Sequence, residues 1–196
     1  MKLSRLVPAG VLSGLLGASC ASHPPLATAE NVDLERFMGD WYVQAHIPAF
    51  GEGKAHNAVE SYALHDDGKI LTSYVFRKGA FDAPLKTMEP VGTVPDAADA
   101  AEWRMQFVWP FRAEFLIAYV DPGYSETIIG RTKRDYVWIM TREREVSDET
   151  IQRLTERVVE MGYEASKIRR VPQRWPDEEH PVTSAGGNLA RYTRNP

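Results

Sequence analysis

Histidines, a single cysteine and paired acids are the residues of this chain whose chemistry could support catalysis or metal binding. The five histidines stand far apart and form no His-Glu-x-x-His or other paired spacing typical of a metal site. Two acidic pairs, at 66–67 and 178–179, fall in a predicted turn and in a C-terminal segment, where charge is expected to be solvated. The chain also has no Gly-x-Ser-x-Gly motif and no glycine-rich phosphate loop. We therefore expect a protein that is not an enzyme and that holds no metal and no cofactor.

The N-terminus has the composition of a secretory signal peptide. Lys2 and Arg5 precede an apolar stretch of small residues over 6–18, and no acid occurs before Glu30. This stretch is too short to span a bilayer as a stable anchor. We assign residues 1–19 to the signal peptide.

Cys20, at the end of that signal, is the only cysteine, so no internal disulfide bond can form. Residues 15–20 resemble the lipobox of bacterial lipoproteins, although Gly17 stands where leucine is usual. The resemblance implies an acylated Cys20 that carries chains such as palmitate and anchors the protein stably once two or more are attached. Because Ala21 and not an aspartate follows, it also implies an outer-membrane lipoprotein facing the periplasm. The alternative is a soluble periplasmic or secreted protein, cleaved after the Ala-Thr-Ala sequence at 27–29.

The composition indicates one globular domain without affinity for nucleic acid. Hydrophobic residues make up 43% and charged residues 26% of the 196 residues, and the net charge is −4. Acids and bases are mixed along the chain, so there is no basic stripe to neutralise phosphates. The predicted organisation is a tether over 20–30, a folded body over 31–171 and a disordered tail over 172–196.

The folded body contains a regular series of apolar runs separated by turn signals. The strongest turn signal is at 65–68, where Gly68 can supply the positive φ of a tight hairpin. One amphipathic helix follows the runs, with Ser147 as its N-cap and Gly162 at its end. Such a series predicts an all-β, eight-stranded antiparallel up-and-down barrel with one C-terminal α-helix packed outside. The predicted strands are 41–47, 55–64, 69–77, 86–94, 102–109, 114–120, 125–131 and 135–142.

Period-two alternation predicts which side chains face the barrel interior. The inward sets are rich in aromatic and sulfur-bearing side chains, which suit an adaptable apolar ligand site as well as a filled core. An eight-stranded barrel is near the size that holds one small ligand, so a hollow and a filled interior both stay open. His46 is out of phase with Trp41 and is expected to face outward. The predicted inward residues are Trp41, Val43, Ala45 and Ile47, then Trp103, Met105, Phe107 and Trp109, and finally Tyr136, Trp138 and Met140.

Three segments, in the family's order, resemble the sequence motifs of the lipocalins. Residues 33–42 are similar to the opening motif, a short helical turn followed by Gly-x-Trp-Tyr. Residues 121–124 partly match a middle motif, a turn. Residues 134–142 resemble the last strand, which ends in arginine, and Ser-Asp-Glu at 147–149 resembles the start of the C-terminal helix. The resemblance covers residues 31–171 and points to the bacterial outer-membrane lipocalins with their plant and apolipoprotein D relatives.

The resemblance implies two groups of residues with different roles. Gly39, Trp41 and Arg142 would be structural: the glycine turns the chain tightly, the indole plugs the closed end, and the guanidinium lies across the indole. The positions that face the ligand in the family match Tyr62, Tyr74, Phe107 and Trp138, and alternation adds Met105, Trp109, Met140, Val43 and Ala45 as ligand-binding candidates.

The function implied by the resemblance is the binding and storage or transport of a lipophilic ligand, such as a fatty acid or a lysophospholipid, in envelope maintenance. A polar head group would lie at the rim, near Lys54, His56 or Lys78. One alternative is a carrier of haem, a bilin or a retinoid-type molecule, and another is a filled barrel that serves as an interaction protein. The expected partners are the lipophilic molecule and, through the lipid anchor, the membrane. We expect a monomer or a weak dimer.

Overall fold

Nine strands in the described part of the chain build the wall of a closed barrel. They are β1 (Gly39–Ile47), β2 (Ala55–Leu64), β3 (Lys69–Lys78), β4 (Leu85–Met88), β5 (Val91–Thr93), β6 (Glu102–Val108), β7 (Phe111–Val120), β8 (Glu126–Gly130) and β9 (Val137–Thr141). The computed structural model describes residues 23–49 and 53–175. The predicted signal peptide and Cys20 lie outside these residues, as does most of the predicted tail.

The strands are antiparallel, and their order around the wall is β1-β2-β3-β5-β6-β7-β8-β9, after which β9 pairs with β1. Strands β4 and β5 both pair with β3 and flank Pro90, which has no N–H to donate to a ladder. They therefore occupy one position of the wall. The predicted eight-stranded antiparallel barrel is confirmed, with β4 and β5 as the two halves of one strand.

Two helices complete the fold. The single turn α1 (Leu34–Phe37) lies across the closed end, and the carboxylate of Asp33 caps it by accepting from Arg36 N at 3.1 Å. The longer α2 (Asp148–Glu160) begins after Ser147, whose hydroxyl accepts from Thr150 N at 3.2 Å. Its buried stripe of Ile151, Leu154 and Val158 packs on the outer faces of β1, β8 and β9. The external helix is thus confirmed.

A β-bulge in β1 changes which residues face inward. Val43 pairs with Met140 and Ala45 pairs with Ile139, so Gln44 is the extra residue between two ladder positions. After the bulge, Ala45 and Ile47 join the outer cluster against α2, whereas Val43 remains in the inner cluster. The prediction that Ala45 and Ile47 face the interior is therefore wrong.

The same bulge turns the side chain of His46 toward the barrel interior. It lies directly opposite Trp138 of β9, and side chains directly opposite one another on paired strands share a face. Because Trp138 belongs to the inner cluster, His46 is buried inside the barrel and not on its outer surface as predicted.

Residues 23–30, predicted as part of a tether, lie against the barrel instead. Leu26 is buried in the outer cluster beside Tyr163, and Ala29 N donates to Ile117 O at 2.8 Å. Gly130 makes room for this contact, because a Cβ there would lie 2.8 Å from the Leu26 side chain. Burial of the apolar Leu26 side chain lowers the free energy of the folded state, which favours this docked position over a free tether.

The folded body also extends beyond residue 171. After a 3-10 turn (Ala165–Lys167) and the short β10 (Arg169–Arg170), which pairs with β1, the chain crosses the outside of the barrel. Residues 172–175, predicted as the start of a disordered tail, bond to both β1 and β2. Gln173 Nε2 donates to Val43 O at 2.8 Å and to Ala58 O at 3.1 Å. Val43 flanks the bulge in β1, Ala58 lies in the irregular part of β2, and both residues come just after the last pair of the β1–β2 ladder, Tyr42 and Val59.

Candidate ligand site inside the barrel

The closed end of the barrel is held by Trp41 and Arg142. The Arg142 guanidinium carbon lies 3.8 Å from the centre of the indole ring, and Trp41 Nε1 donates to Phe37 O at 2.9 Å. Burial lowers the pKa of Arg142 to about 10, so the side chain stays charged at neutral pH. Gly39 has a φ of +95°, and a Cβ there would lie 3.2 Å from Arg142 Nη1. This end therefore needs a glycine for both its backbone conformation and its space.

One wall of the interior is a continuous row of aromatic rings that runs from the closed end toward the open end. Trp103 and Phe115 are stacked with centroids 5.2 Å apart and planes within 9°. Phe37 meets Trp103 edge-on at 5.6 Å, so α1 contributes to the same row. Above them, Trp138 lies 6.0 Å from Phe115. The row thus packs one side of the interior from the closed end as far as Trp138, near the open end.

The rest of the interior wall is apolar and adaptable. Its members come from β1, β2, β3, β6 and β9, and each is at most 3% exposed. They include two methionines, whose unbranched side chains repack more easily than other apolar side chains. A ligand would enter this sealed space by displacing the methionines. The residues of this wall are Val43, Ala58, Tyr74, Phe76, Met105 and Met140.

A carboxylate lies inside this apolar interior. Glu60 of β2 is 4% exposed, and it lies opposite Trp41 on one side and Tyr74 on the other. The hydroxyl of Tyr62, two residues along the same face, donates to Glu60 Oε2. The charge of an anionic head group is costly to bury in a medium of low dielectric. This part of the site therefore suits an uncharged chain and not an anionic head group.

Phe107 and Trp109 do not line the interior. The ladder between β6 and β7 shifts register between Met105 and Val108, so alternation no longer holds there. Phe107 is 39% exposed, and Trp109, in the turn of the hairpin, is 81% exposed. The prediction that these two side chains face the interior is wrong. Met105, two residues before Phe107 on the same strand, is buried inside as predicted.

Basic side chains lie around the open end, together with the exposed acids Asp82 and Asp135. This end carries the connections β1–β2, β3–β4, β6–β7 and β8–β9, because β1 starts at the closed end and the strands alternate in direction. An exposed basic side chain lies at each connection, namely Lys54, Lys78, Arg112 and Lys133. An anionic head group would find its counter-charges at this rim.

Comparison with known proteins decides the family. A family model described as a lipocalin-like domain matches residues 32–173, the whole barrel and its helix. This chain belongs to the lipocalin family. The recognition made from its motifs is confirmed.

The relatives of this lipocalin include plant and bacterial proteins. It is 28% identical to temperature-induced lipocalin-1 of Arabidopsis thaliana over 162 residues, 76% of this chain and 83% of the relative. It is 27% identical to outer membrane lipoprotein Blc of Escherichia coli (strain K12) over 177 residues, 88% of this chain and 98% of the relative. Among solved structures, insecticyanin from Manduca sexta matches with a TM-score of 0.58 and 16% identity, covering 79% of this chain and 87% of the other.

The partly matching middle motif of this lipocalin supports the closed end. Asp121 accepts from the backbone N–H groups of Gly123, Ser125 and Glu126 at 2.6–2.9 Å. Burial alone would raise the pKa of Asp121, but these hydrogen bonds outweigh it and lower the pKa. The turn that they hold places Tyr124, whose hydroxyl accepts from Asp33 N at 2.7 Å.

Two interior polar residues of this lipocalin were not predicted. Glu60 shares its face with Tyr62 by period two, so the alternation that placed Tyr62 inside would also have placed Glu60 there. His46 carried no such signal, because the bulge at Gln44 cannot be recognised from alternation alone. Among residues 23–49 and 53–175, no group of three His, Cys, Asp or Glu side chains could hold a metal, and no helix is long and apolar enough to cross a membrane.

Proposed function

We propose that this lipocalin binds a lipophilic amphiphile, a fatty acid or a lysophospholipid, with the acyl chain inside the barrel and the head group at the rim. The observation that carries the proposal is the apolar, methionine-containing lining of the interior beneath the basic side chains of the open end. Burial of an acyl chain supplies about 0.8 kcal/mol for each CH₂ group. This is enough for a chain of ordinary length to displace side chains that already fill the space.

The polarity of the site supports one orientation of the ligand. A carboxylate or phosphate inside the barrel would lie in an apolar interior near Glu60, and burying its charge there is costly. At the open end the same group would meet Lys54, Lys78 or Arg112, where water still solvates it. The chain therefore enters first, and the head group stays outside.

We also propose that the protein works as a lipid-anchored lipoprotein of the outer membrane, acylated at Cys20, and stores or transports such amphiphiles within the envelope. The lipobox-like sequence that ends at Cys20 supports the anchor. The relatives named outer membrane lipoprotein Blc, of which this chain covers 98%, support the location. A Cys20→Ser variant is expected to leave the membrane fraction, and its retention there would contradict the anchor.

Native mass spectrometry of the protein purified from membranes tests the ligand and the acylation together. We expect a bound mass of an acyl-chain amphiphile and an added mass on Cys20. Tryptophan emission provides a second measurement, because Trp138 lies in the interior and its emission would change as a fatty acid or lysophospholipid enters. A visible absorption band would instead indicate a ring-type ligand. Failure of every lipophile to bind would contradict the carrier function and leave a filled barrel that interacts with other proteins.

A further inference from the structure

The hairpin between β6 and β7 exposes a strongly apolar surface segment at the open end. Val108 is 67% exposed, Trp109 81% and Phe111 76%, and Phe107 adds a ring that is 39% exposed. Pro110 completes an uninterrupted apolar run of five residues. Soluble proteins rarely leave neighbouring large apolar side chains in water, and such patches mark interaction surfaces.

The position of this hairpin tip, residues 107–111, relates it to ligand exchange. The tip lies at the open end, away from Trp41 and α1, and directly above strands that line the interior with Trp103, Met105 and Phe115. Val108 and Phe111 pair across the hairpin, so the ladder holds them on the same face. The exposed side chains thus project from a stiff two-stranded support and not from a loose loop.

The chemistry of the hairpin tip fits the surface of a lipid bilayer. Tryptophan and phenylalanine partition into the interfacial layer of a membrane, where an apolar ring is buried while its surroundings remain hydrated. Exposure at consecutive positions 107, 108 and 109 shows that several sides of the tip are apolar, and a bilayer can cover all of them at once. Arg112 adjoins the tip, and the exposed cations Lys54 and Lys78 lie at the same end, which favours anionic lipid head groups.

We propose that the hairpin tip is a membrane-insertion wedge that seats the open end of the barrel on an anionic bilayer. In this position a lipid-derived chain passes between the bilayer and the interior without crossing water. The exchange step rests on the proposed function, whereas the seating itself requires only the exposed tip and the cations around it.

Quenching of tryptophan emission by brominated lipids tests the contact in the intact protein. The probe is vesicles of dibrominated phosphatidylcholine mixed with phosphatidylglycerol, because bromine quenches only tryptophans that reach the acyl chains. Trp41, Trp103 and Trp138 are at most 1% exposed, which leaves Trp109 as the tryptophan that the wedge would insert. We expect strong quenching in the unmodified protein and loss of most of it in Trp109→Phe. The matched control is Trp175→Phe, since Trp175 is half-buried against Tyr42 and should not contribute.

A second pair of variants measures the affinity for the bilayer. Val108→Ser combined with Phe111→Ser removes apolar surface from the tip, and we expect vesicle binding of the Cys20→Ser protein to weaken roughly tenfold. Val159→Ser makes the same type of change at an exposed valine of α2 and is expected to leave binding unchanged. Pure phosphatidylcholine vesicles are expected to bind more weakly than those with phosphatidylglycerol.

Three outcomes would overturn the wedge. Absence of quenching in the unmodified protein would show that the tip does not reach the acyl chains. Quenching that persists in Trp109→Phe and disappears when a fatty acid competes would show that lipid enters the barrel instead, which supports the carrier and removes the wedge. Equal vesicle binding by the tip variant and Val159→Ser would assign the exposed tip to a protein partner. Conversely, a quenched Trp109 in a protein that binds no lipophile would keep the wedge and contradict the proposed function.

Discussion

Arg142 lies over Trp41, with its guanidinium carbon 3.8 Å from the centre of the indole ring, and the same guanidinium donates to backbone carbonyls of three segments. The acceptors belong to α1 and its end, to the start of β1 and to the turn before β8. One side chain just after β9 thus joins the first helix, the first strand and the β7–β8 connection. The accepting carbonyls are those of Arg36, Phe37, Met38, Asp40 and Tyr124.

We expect Arg142→Ala to lower the free energy of unfolding by about 3 kcal/mol, because a cation–π contact and several charge-assisted hydrogen bonds are lost together. The free energy of unfolding of Arg142→Lys should fall between those of the unmodified protein and Arg142→Ala, since lysine keeps the charge but not the planar guanidinium. Ligand affinity should stay within about twofold in both variants, because Arg142 closes the far end of the barrel. Thermal unfolding and a fluorescence titration measure the two quantities. An unchanged melting temperature in Arg142→Ala would contradict this role.

Met140 and Ile139 are neighbours on β9 that face opposite sides, the first toward the interior and the second toward α2. Met140→Ile keeps a similar volume but makes the side chain stiff, so the lining should adapt less readily to a ligand. We expect ligand affinity to fall roughly fivefold while stability changes by less than about 1.5 kcal/mol. Ile139→Met, the reverse exchange on the outer face, is the control and should leave affinity unchanged. Equal affinities in the two variants would argue against a ligand beside Met140.

Asp121 should stabilise the fold at neutral pH, and this stabilisation should be lost in acid. Its pKa is lowered in the folded protein because hydrogen bonds from backbone N–H groups outweigh the effect of burial. A lowered pKa stabilises the fold above the unfolded value of 3.8, and this stabilisation is lost as the pH falls through the folded pKa. Asp121→Asn is therefore expected to cost about 1–2 kcal/mol at neutral pH and much less near pH 2. Urea unfolding at both pH values measures the difference, with Asp66→Asn in an exposed turn as the control.

Tyr163 should contribute stability that is lost in alkali. Burial raises its pKa to about 12, while an unfolded tyrosine ionises near 10.0. Between these values the unfolded chain releases the phenolic proton and the folded chain retains it, so stability falls as the pH rises. Tyr163→Phe should reduce this alkaline loss, although Tyr136, whose pKa is also raised by burial, maintains part of it. The midpoint of urea unfolding at pH 8 and pH 11 tests this, and Tyr119→Phe, at a half-exposed position, should match the unmodified protein.

The sequence was sufficient to predict the barrel, but it was insufficient to predict which side chains face inward where the strands are irregular. The alternation of Trp103 with Met105 and of Trp138 with Met140 predicted their inward direction, because regular ladders preserve the period of two. Bulges break that period, which explains why Ala45 and His46 were assigned to the wrong faces. The bulged part of β1 bonds to donors far away in the chain, such as the side-chain amide of Gln173, and the local pattern does not contain that information.

Gln173 links the two bulges that shape the interior. Its side-chain amide donates to Val43 O in β1 and to Ala58 O in β2, and both residues belong to the inner cluster. Gln173→Ala leaves these two carbonyls without their donor, so we expect the free energy of unfolding to fall by about 1–2 kcal/mol. Ligand affinity should fall as well, because Val43 and Ala58 would no longer be held in place on the lining.

The matched control for this variant is Gln152→Ala on the exposed side of α2, where the amide bonds only to Glu156 within the described residues. It should leave both unfolding and ligand binding unchanged. Urea unfolding and ligand titration on the two variants separate the possibilities. If Gln173→Ala lowered stability without any change in affinity, the bulges would serve the fold alone, and the ligand would have to lie away from β1 and β2.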